Sequence, residues 1–132
     1  MYDLGKIFKF MIDNLITYSN QKFCSNVIEK LFNFEELRII LINKLLEPDT
    51  MKALLCDQFG NYVVQKALNN ANNDEQIKLL NLIGTMVDKL KKLEFGFKLY
   101  HKLISKYPIL LSIIFKIDNN TNSFEQGMID NK

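Results

Sequence analysis

The chain has 132 residues, 48% of them apolar and 24% charged, with a net charge of +2. This composition supplies a packed core for one domain and excludes an intrinsically disordered chain. The charge is compatible with a polyanion partner but too small to demand one, and Arg38 is the sole arginine, so guanidinium forks on phosphate are not its device.

Taken in chain order, residues 1–22 read as the end of one unit followed by a short helix, Lys9–Ser19. No earlier copy of the motif that follows fits before residue 1. The array is therefore expected to be cut or to begin abruptly, with Leu4, Ile7, Phe8 and Met11 lining its open end. The motif is Phe-Cys-Ser-Asn-Val-Ile-Glu-Lys-Leu-Phe at 23–32. Its apolar positions 23, 27, 28 and 31 form one helical stripe, while Ser25, Asn26 and Glu29 occupy another face. Glu35–Leu46 is a longer helical stretch, with Pro48 as its stop. A short helix, Met51–Cys56, follows with Asp49 or Thr50 as cap. The motif then returns 36 residues on, as Phe-Gly-Asn-Tyr-Val-Val-Gln-Lys-Ala-Leu at 59–68. Asp74–Leu82 is the next long stretch, capped by Asn73 or Asp74, and Thr85–Leu93 fills the place of the short helix. A third copy, Phe-Gly-Phe-Lys-Leu-Tyr-His-Lys-Leu-Ile, occupies 95–104. The apolar run Ile109–Phe115 packs as a terminal helix on the end of the array. It is far shorter than the roughly 20 residues that span a bilayer. From Asp118 to Ser123 the chain turns polar, and 118–132 is expected to be a disordered tail.

A period of this length marks a helical solenoid, whose units bury their apolar faces only against neighbours. The fold class is all-α, with about three helices per repeat. The small residue after each aromatic (Cys24, Gly60, Gly96) is expected to keep adjacent repeats close. The two cysteines, Cys24 and Cys56, lie on different repeats without zinc spacing, and with no signal peptide in view are expected to be reduced thiols. No nucleophile–base pair or glycine-rich phosphate loop occurs, and His101 has no carboxylate or cysteine partner in sequence. No catalytic residue, cofactor, metal, membrane or small-molecule substrate is expected.

The polar positions that vary between copies carry the message. Ser25 and Glu29 stand one helical turn apart, as do Asn61 and Gln65. A carboxylate only accepts hydrogen bonds and suits the paired N1 and N2 donors of guanine; an Asn/Gln pair offers donors and acceptors and suits uracil. Tyr62 lies between its pair and supplies a face for a splayed base, and Asn26 offers a smaller one. Lys30 and Lys66 read either as phosphate contacts or as solvated stems over apolar surface. Lys89, Lys91 and Lys92 read as a solvated helix face or as weak phosphate attraction. Taken alone, Ser25 could also be a helix cap, but a capping box needs Glu where Ile28 stands.

Phe23-Cys-Ser-Asn-Val-Ile-Glu-Lys30 and Asp57-Gln-Phe-Gly-Asn-Tyr-Val-Val-Gln-Lys66 resemble the last two RNA-reading repeats of the Pumilio (PUF) family, and Lys92–Leu103 is similar to the degenerate repeat that closes its array. The resemblance covers roughly residues 9–107. It implies a right-handed superhelical solenoid of three-helix repeats, akin to armadillo and HEAT arrays and a fragment of a larger crescent. Residues 1–117 would be the C-terminal part of that domain: a partial unit 1–22, repeats at about 9–46 and 49–83, a capping repeat 84–107 and a terminal helix 108–117. It further implies single-stranded RNA bound antiparallel, one base per repeat. Ser25 and Glu29 would hold guanine with Asn26 stacking, and Asn61 and Gln65 would hold uracil with Tyr62 stacking. The sequence read would be 5′-UG-3′, the start of a UGUR element in mRNA 3′ untranslated regions. Cytoplasmic translational repression with repressor proteins on the convex face would follow. Three departures limit this. Only two reading repeats are complete, the Glu47–Thr50 connection is shorter than the partner loop of some members, and Phe97, Lys98 and His101 at the third reading positions predict no base contact. Two alternatives stand beside it: an all-helical scaffold for protein partners, and a PUF-like nucleolar binder of nucleic acid without base specificity.

Overall fold

A computed structural model describes Phe10, Asn14, Thr17, Ile28 and residues 30–130, with side chains as far as residue 119. Among the described residues all regular structure is α-helical. Of the expected short helix Lys9–Ser19 only Phe10, Asn14 and Thr17 are described, with a helical i→i+4 bond from the Asn14 amide to the Phe10 carbonyl (3.1 Å), and of the first motif copy at 23–32 only Ile28 and residues 30–32, with Ile28 and Phe32 buried. The chain divides into two compact units, 1–79 and 80–132.

In the first unit, α1 (Glu35–Leu45) buries Leu41, Ile42 and Leu45, and Arg38 lies half-buried one turn before them on the same stripe. Glu35 and Glu36 in its first turn and Lys44 in its last oppose the partial charges of the helix ends. Pro48 does not merely stop α1. It opens α2 (Pro48–Leu55) at the first helical position, where its missing N–H is harmless. The residue before α2 is Glu47, not Asp49 or Thr50, and its carboxylate accepts from the Thr50 hydroxyl (3.1 Å) and pairs with Lys44 (2.9 Å). That lysine contact holds the Glu47 carboxyl below its ordinary range against the opposing effect of desolvation, with a lesser contribution from Thr50. α3 (Gly60–Asn70) packs on both α1 and α2 through Val63, Val64, Ala67 and Leu68.

α4 (Asn73–Gly84) starts one residue earlier than expected because Asn72 is its cap. The Asn72 side-chain oxygen accepts from the Glu75 amide (2.8 Å), and the Glu75 carboxylate accepts from the Asn72 amide (2.9 Å), a reciprocal capping box. Glu75 also pairs with Arg38, whose guanidinium donates in addition to the Asn70 carbonyl (3.3 Å). Gln76 donates to the Leu68 carbonyl (3.1 Å). Two of the last carbonyls of α3, which have no partner within a helix end, are thereby satisfied from outside it.

In the second unit, the short helix is α5 (Val87–Lys91) rather than Thr85–Leu93. Thr85 belongs to the end of α4: its amide (3.1 Å) and hydroxyl (2.6 Å) both donate to the Leu82 carbonyl. α6 (Glu94–Lys106) packs on α5 and on α7 (Ile109–Asp130), burying Leu99 and Leu103 with Leu90, Leu110 and Ile113. A Cβ on Gly96 would run into the backbone carbonyl of Leu90. The small residue there therefore serves α5 against α6 inside one repeat, not the gap between repeats. Gly84 serves α7 likewise, since a Cβ there would stand 2.8 Å from the Ile113 Cγ2. α7 also runs past the expected end at 117, through most of the segment expected to be a disordered tail. The Asn/Thr/Ser run has low helix propensity, but no proline between 118 and 130 removes a backbone donor.

Candidate nucleic-acid interface

The second motif copy is held by the turn that precedes it. Asp57 turns its carboxylate onto the amides of Phe59 (2.9 Å) and Gly60 (2.7 Å), satisfying two of the orphan donors at the start of α3. Its backbone carbonyl accepts from both the amide (3.1 Å) and the side-chain Nδ2 (2.7 Å) of Asn61. The Nδ2 donates as well to the Gln58 carbonyl (3.0 Å). Both amide hydrogens of Asn61 are thus engaged by carbonyls, which fixes which end of the amide is oxygen. That oxygen accepts from the Gln65 Nε2 (2.9 Å). Asn61 is only 5% exposed and half-buried Gln65 stands one turn beyond it.

The consequence is a defined polarity at Gln65. One of its amide hydrogens is spent on Asn61, leaving the second hydrogen and the Oε1 as an adjacent donor and acceptor. That pair matches the alternating acceptor and donor groups on a uracil edge, whereas two adjacent donors, as on guanine, would meet one of their own kind. Tyr62 is 52% exposed, so its ring has a free face beside this pair. Lys66 is half-buried on α3 and Lys30 is exposed. Ser25, Asn26 and Glu29 lie outside the described residues. The third copy differs at the turn as well as on the helix. Leu93 stands where Asp57 stands, so α6 begins without a side-chain cap, and Phe97, Lys98 and His101 are all exposed. Sequence reasoning passed over Asp57, although an Asp three residues before the first helical residue is a recognisable turn signal.

Among the described residues no three His, Cys, Asp or Glu side chains gather as a metal site, and no helix is long and apolar enough to cross a membrane.

A profile of the Pumilio-family RNA binding repeat matches residues 14–46 and 53–83. A Pumilio domain-containing protein of Schizosaccharomyces pombe is 33% identical over 104 residues, covering 77% of this chain and 15% of that protein. The chain belongs to the Pumilio family. The mRNA-binding protein PUF3 of Saccharomyces cerevisiae is 32% identical over 100 residues, 66% of this chain and 11% of that protein. The suppressor protein MPT5 of the same yeast is 31% identical over 132 residues, 92% of this chain and 15% of that protein. The Pumilio chain described here thus spans about 15% of the length of the first of these relatives. No solved structure matches it significantly. The two matched segments are separated by residues 47–52, Glu47 and the first part of α2, and the second contains Asp57, Asn61, Tyr62 and Gln65.

Proposed function

We propose that this chain binds single-stranded RNA base by base, with α3 reading uracil through Gln65 and Asn61 under a Tyr62 stack, and with Ser25, Glu29 and Asn26 reading guanine one repeat earlier. The strand runs antiparallel to the protein, so the sequence read is 5′-UG-3′ within a UGUR-type element. Lys30 and Lys66 contact phosphate. The chain binds rather than catalyses, and it serves post-transcriptional repression of cytoplasmic mRNA in company with repressor proteins. The observation that carries this reading is the Asp57–Asn61–Gln65 series, which engages one amide hydrogen of Gln65 and leaves it a second donor and an acceptor. Membership of the Pumilio family supports it independently.

The test exchanges one pair for the other. Replacing Ser25→Asn together with Glu29→Gln should move preference at the second base from G to U, by roughly 1–3 kcal/mol. Fluorescence anisotropy with UG- and UU-containing RNA measures it; a variant that still prefers G removes the edge-reading assignment. A second reading, a scaffold for protein, draws on the exposed Phe34, Ile39 and Ile40 at α1. Equal binding of UGUA and scrambled RNA would favour it.

A further inference from the structure

Gln65 by itself does not single out uracil. Its second amide hydrogen and its Oε1 suit an acceptor beside a donor. Cytosine (N3 and the 4-amino group) and adenine (N1 and the 6-amino group) offer such a pair as well as uracil does. Uracil differs in carrying a second carbonyl on the far side of N3–H, so a third group that donates there distinguishes it. Asn61 does not supply that donor, since its two amide hydrogens go to the Asp57 and Gln58 carbonyls (2.7 and 3.0 Å). The bond from the Gln65 Nε2 to the Asn61 Oδ1 (2.9 Å) also sets a direction. The nitrogen end of the Gln65 amide lies toward Asn61, near the start of α3, and the oxygen end lies away from it. A uracil that gives N3–H to that oxygen and accepts the remaining hydrogen on one carbonyl therefore carries its other carbonyl toward the next turn of the helix.

On that turn stands Asn69, within α3 and exposed. It follows Gln65 by four residues and Tyr62 by seven, so the three share one face, while Val63 and Ala67 are buried on the opposite side. Helical side chains tilt toward the N-terminus, which leans the Asn69 amide back toward Gln65. We infer that Asn69 is a third reading residue of α3, donating an amide hydrogen to the uracil carbonyl that Gln65 leaves unmatched. The inference rests on the uracil reading proposed above and supplies what that reading needs to exclude cytosine and adenine. In those two bases a ring carbon stands beside the paired amino group. Their second amino hydrogen lies along the base edge and not toward the helix, so the Asn69 amide finds no partner there. The register recurs one repeat earlier. Asn33 stands 36 residues before Asn69 and four after Glu29, and it is exposed. On guanine, too, a carbonyl lies beside the two donors that suit a carboxylate.

The full chain is titrated, by fluorescence anisotropy, into 3′-labelled RNA beginning 5′-UG, 5′-CG or 5′-AG. Asn69→Ala should weaken binding of the U strand about five-fold, the loss of one hydrogen bond, and leave the C and A strands nearly unchanged. Asn69→Asp, the same shape without a donor, should lower the ratio of U to C as far. A role confined to folding would lower all three strands together, and Asn69 is exposed, so circular dichroism melts of both variants should match the wild type. Contact with the base itself is read from thio-substituted strands, because sulfur accepts hydrogen bonds weakly. One of 2-thiouridine and 4-thiouridine should cost the wild type about three-fold and cost Asn69→Ala nothing, while the other costs both chains alike through Gln65. Lys66→Met should weaken all three strands alike. A ratio of U to C that Asn69→Ala leaves unchanged, thio costs that are equal in both chains, or a ratio lowered by Lys66→Met instead would each overturn the inference. Gln65→Ala separates the two proposals. If Gln65→Ala and Asn69→Ala both lower the preference for U, both proposals stand. If only Gln65→Ala does, uracil reading stands and the third contact fails. If Gln65→Ala leaves the preference intact, edge reading fails and the third contact falls with it.

Discussion

Asn61 would look, in sequence, like a side chain waiting for a base. In the folded chain its two donors are taken by the Asp57 and Gln58 carbonyls and its oxygen faces Gln65. Its contribution to recognition is therefore to orient Gln65 as much as to touch a nucleobase. Asp57 stands at the head of this series, since its carboxylate closes the turn on which the two carbonyls ride. Asp57→Ala should destabilise the fold by about 1 kcal/mol, as losing a cap does, and should also weaken the preference of UG over AG RNA. Urea denaturation and anisotropy measure the two effects. Loss of stability with preference intact would show that the turn does not orient the reading residues. A second residue-scale prediction concerns Glu47, whose carboxyl is held below its ordinary value of 4.5 chiefly by Lys44. A depressed folded value means that stabilisation is present above the ordinary value and is lost as pH falls through the folded one. NMR titration of Glu47 should give a midpoint below 4.5 that rises in Lys44→Ala; an unmoved midpoint contradicts the assignment.

At the scale of elements, both ends of α3 are finished by residues outside it: Asp57 at the start, Arg38 and Gln76 at the end. Glu75 joins the end of α3 to the start of α4, as the second half of the Asn72 capping box and as the partner of Arg38. Glu75→Ala should therefore cost about 2–3 kcal/mol, the sum of a lost cap and a lost charge-assisted bond. Glu75→Gln should recover about 1 kcal/mol by keeping the acceptor for the Asn72 amide. Equal losses in chemical denaturation would mean that the box contributes nothing. The helices themselves were legible in the sequence because apolar residues recur at helical spacing and the motif recurs every 36 residues. The joints between them were less so. Pro48 reads equally as a stop or as a first residue, and Thr85 closes one helix where it was expected to open another. Each depends on which carbonyl lies within reach, and spacing alone does not encode that. The glycine at 96 was legible as a close approach, but not that the Leu90 carbonyl is what approaches. At the site, residue types and register were visible in sequence, while the anchoring of Asn61 depends on folded neighbours.

For the whole molecule, magnitudes bound what so short an array can do. Two edge-reading pairs give about 1–3 kcal/mol each, and stacking adds about 1–3 kcal/mol per base. Association costs about 4–15 kcal/mol before any surplus appears. RNA binding by this chain alone should therefore be weak, with a Kd of about 100 µM or higher for a UG dinucleotide step, and nanomolar affinity would refute that sum. Weak exchange of this kind suits NMR. The most direct measurement is a titration of the isotope-labelled chain with short UG RNA and, in parallel, with AG RNA, following the side-chain amide signal of Gln65. That signal should move with UG and stay nearly still with AG, with the Tyr62 ring responding to both. Identical shifts for the two RNAs, or shifts confined to residues away from α3, would contradict uracil reading by this helix.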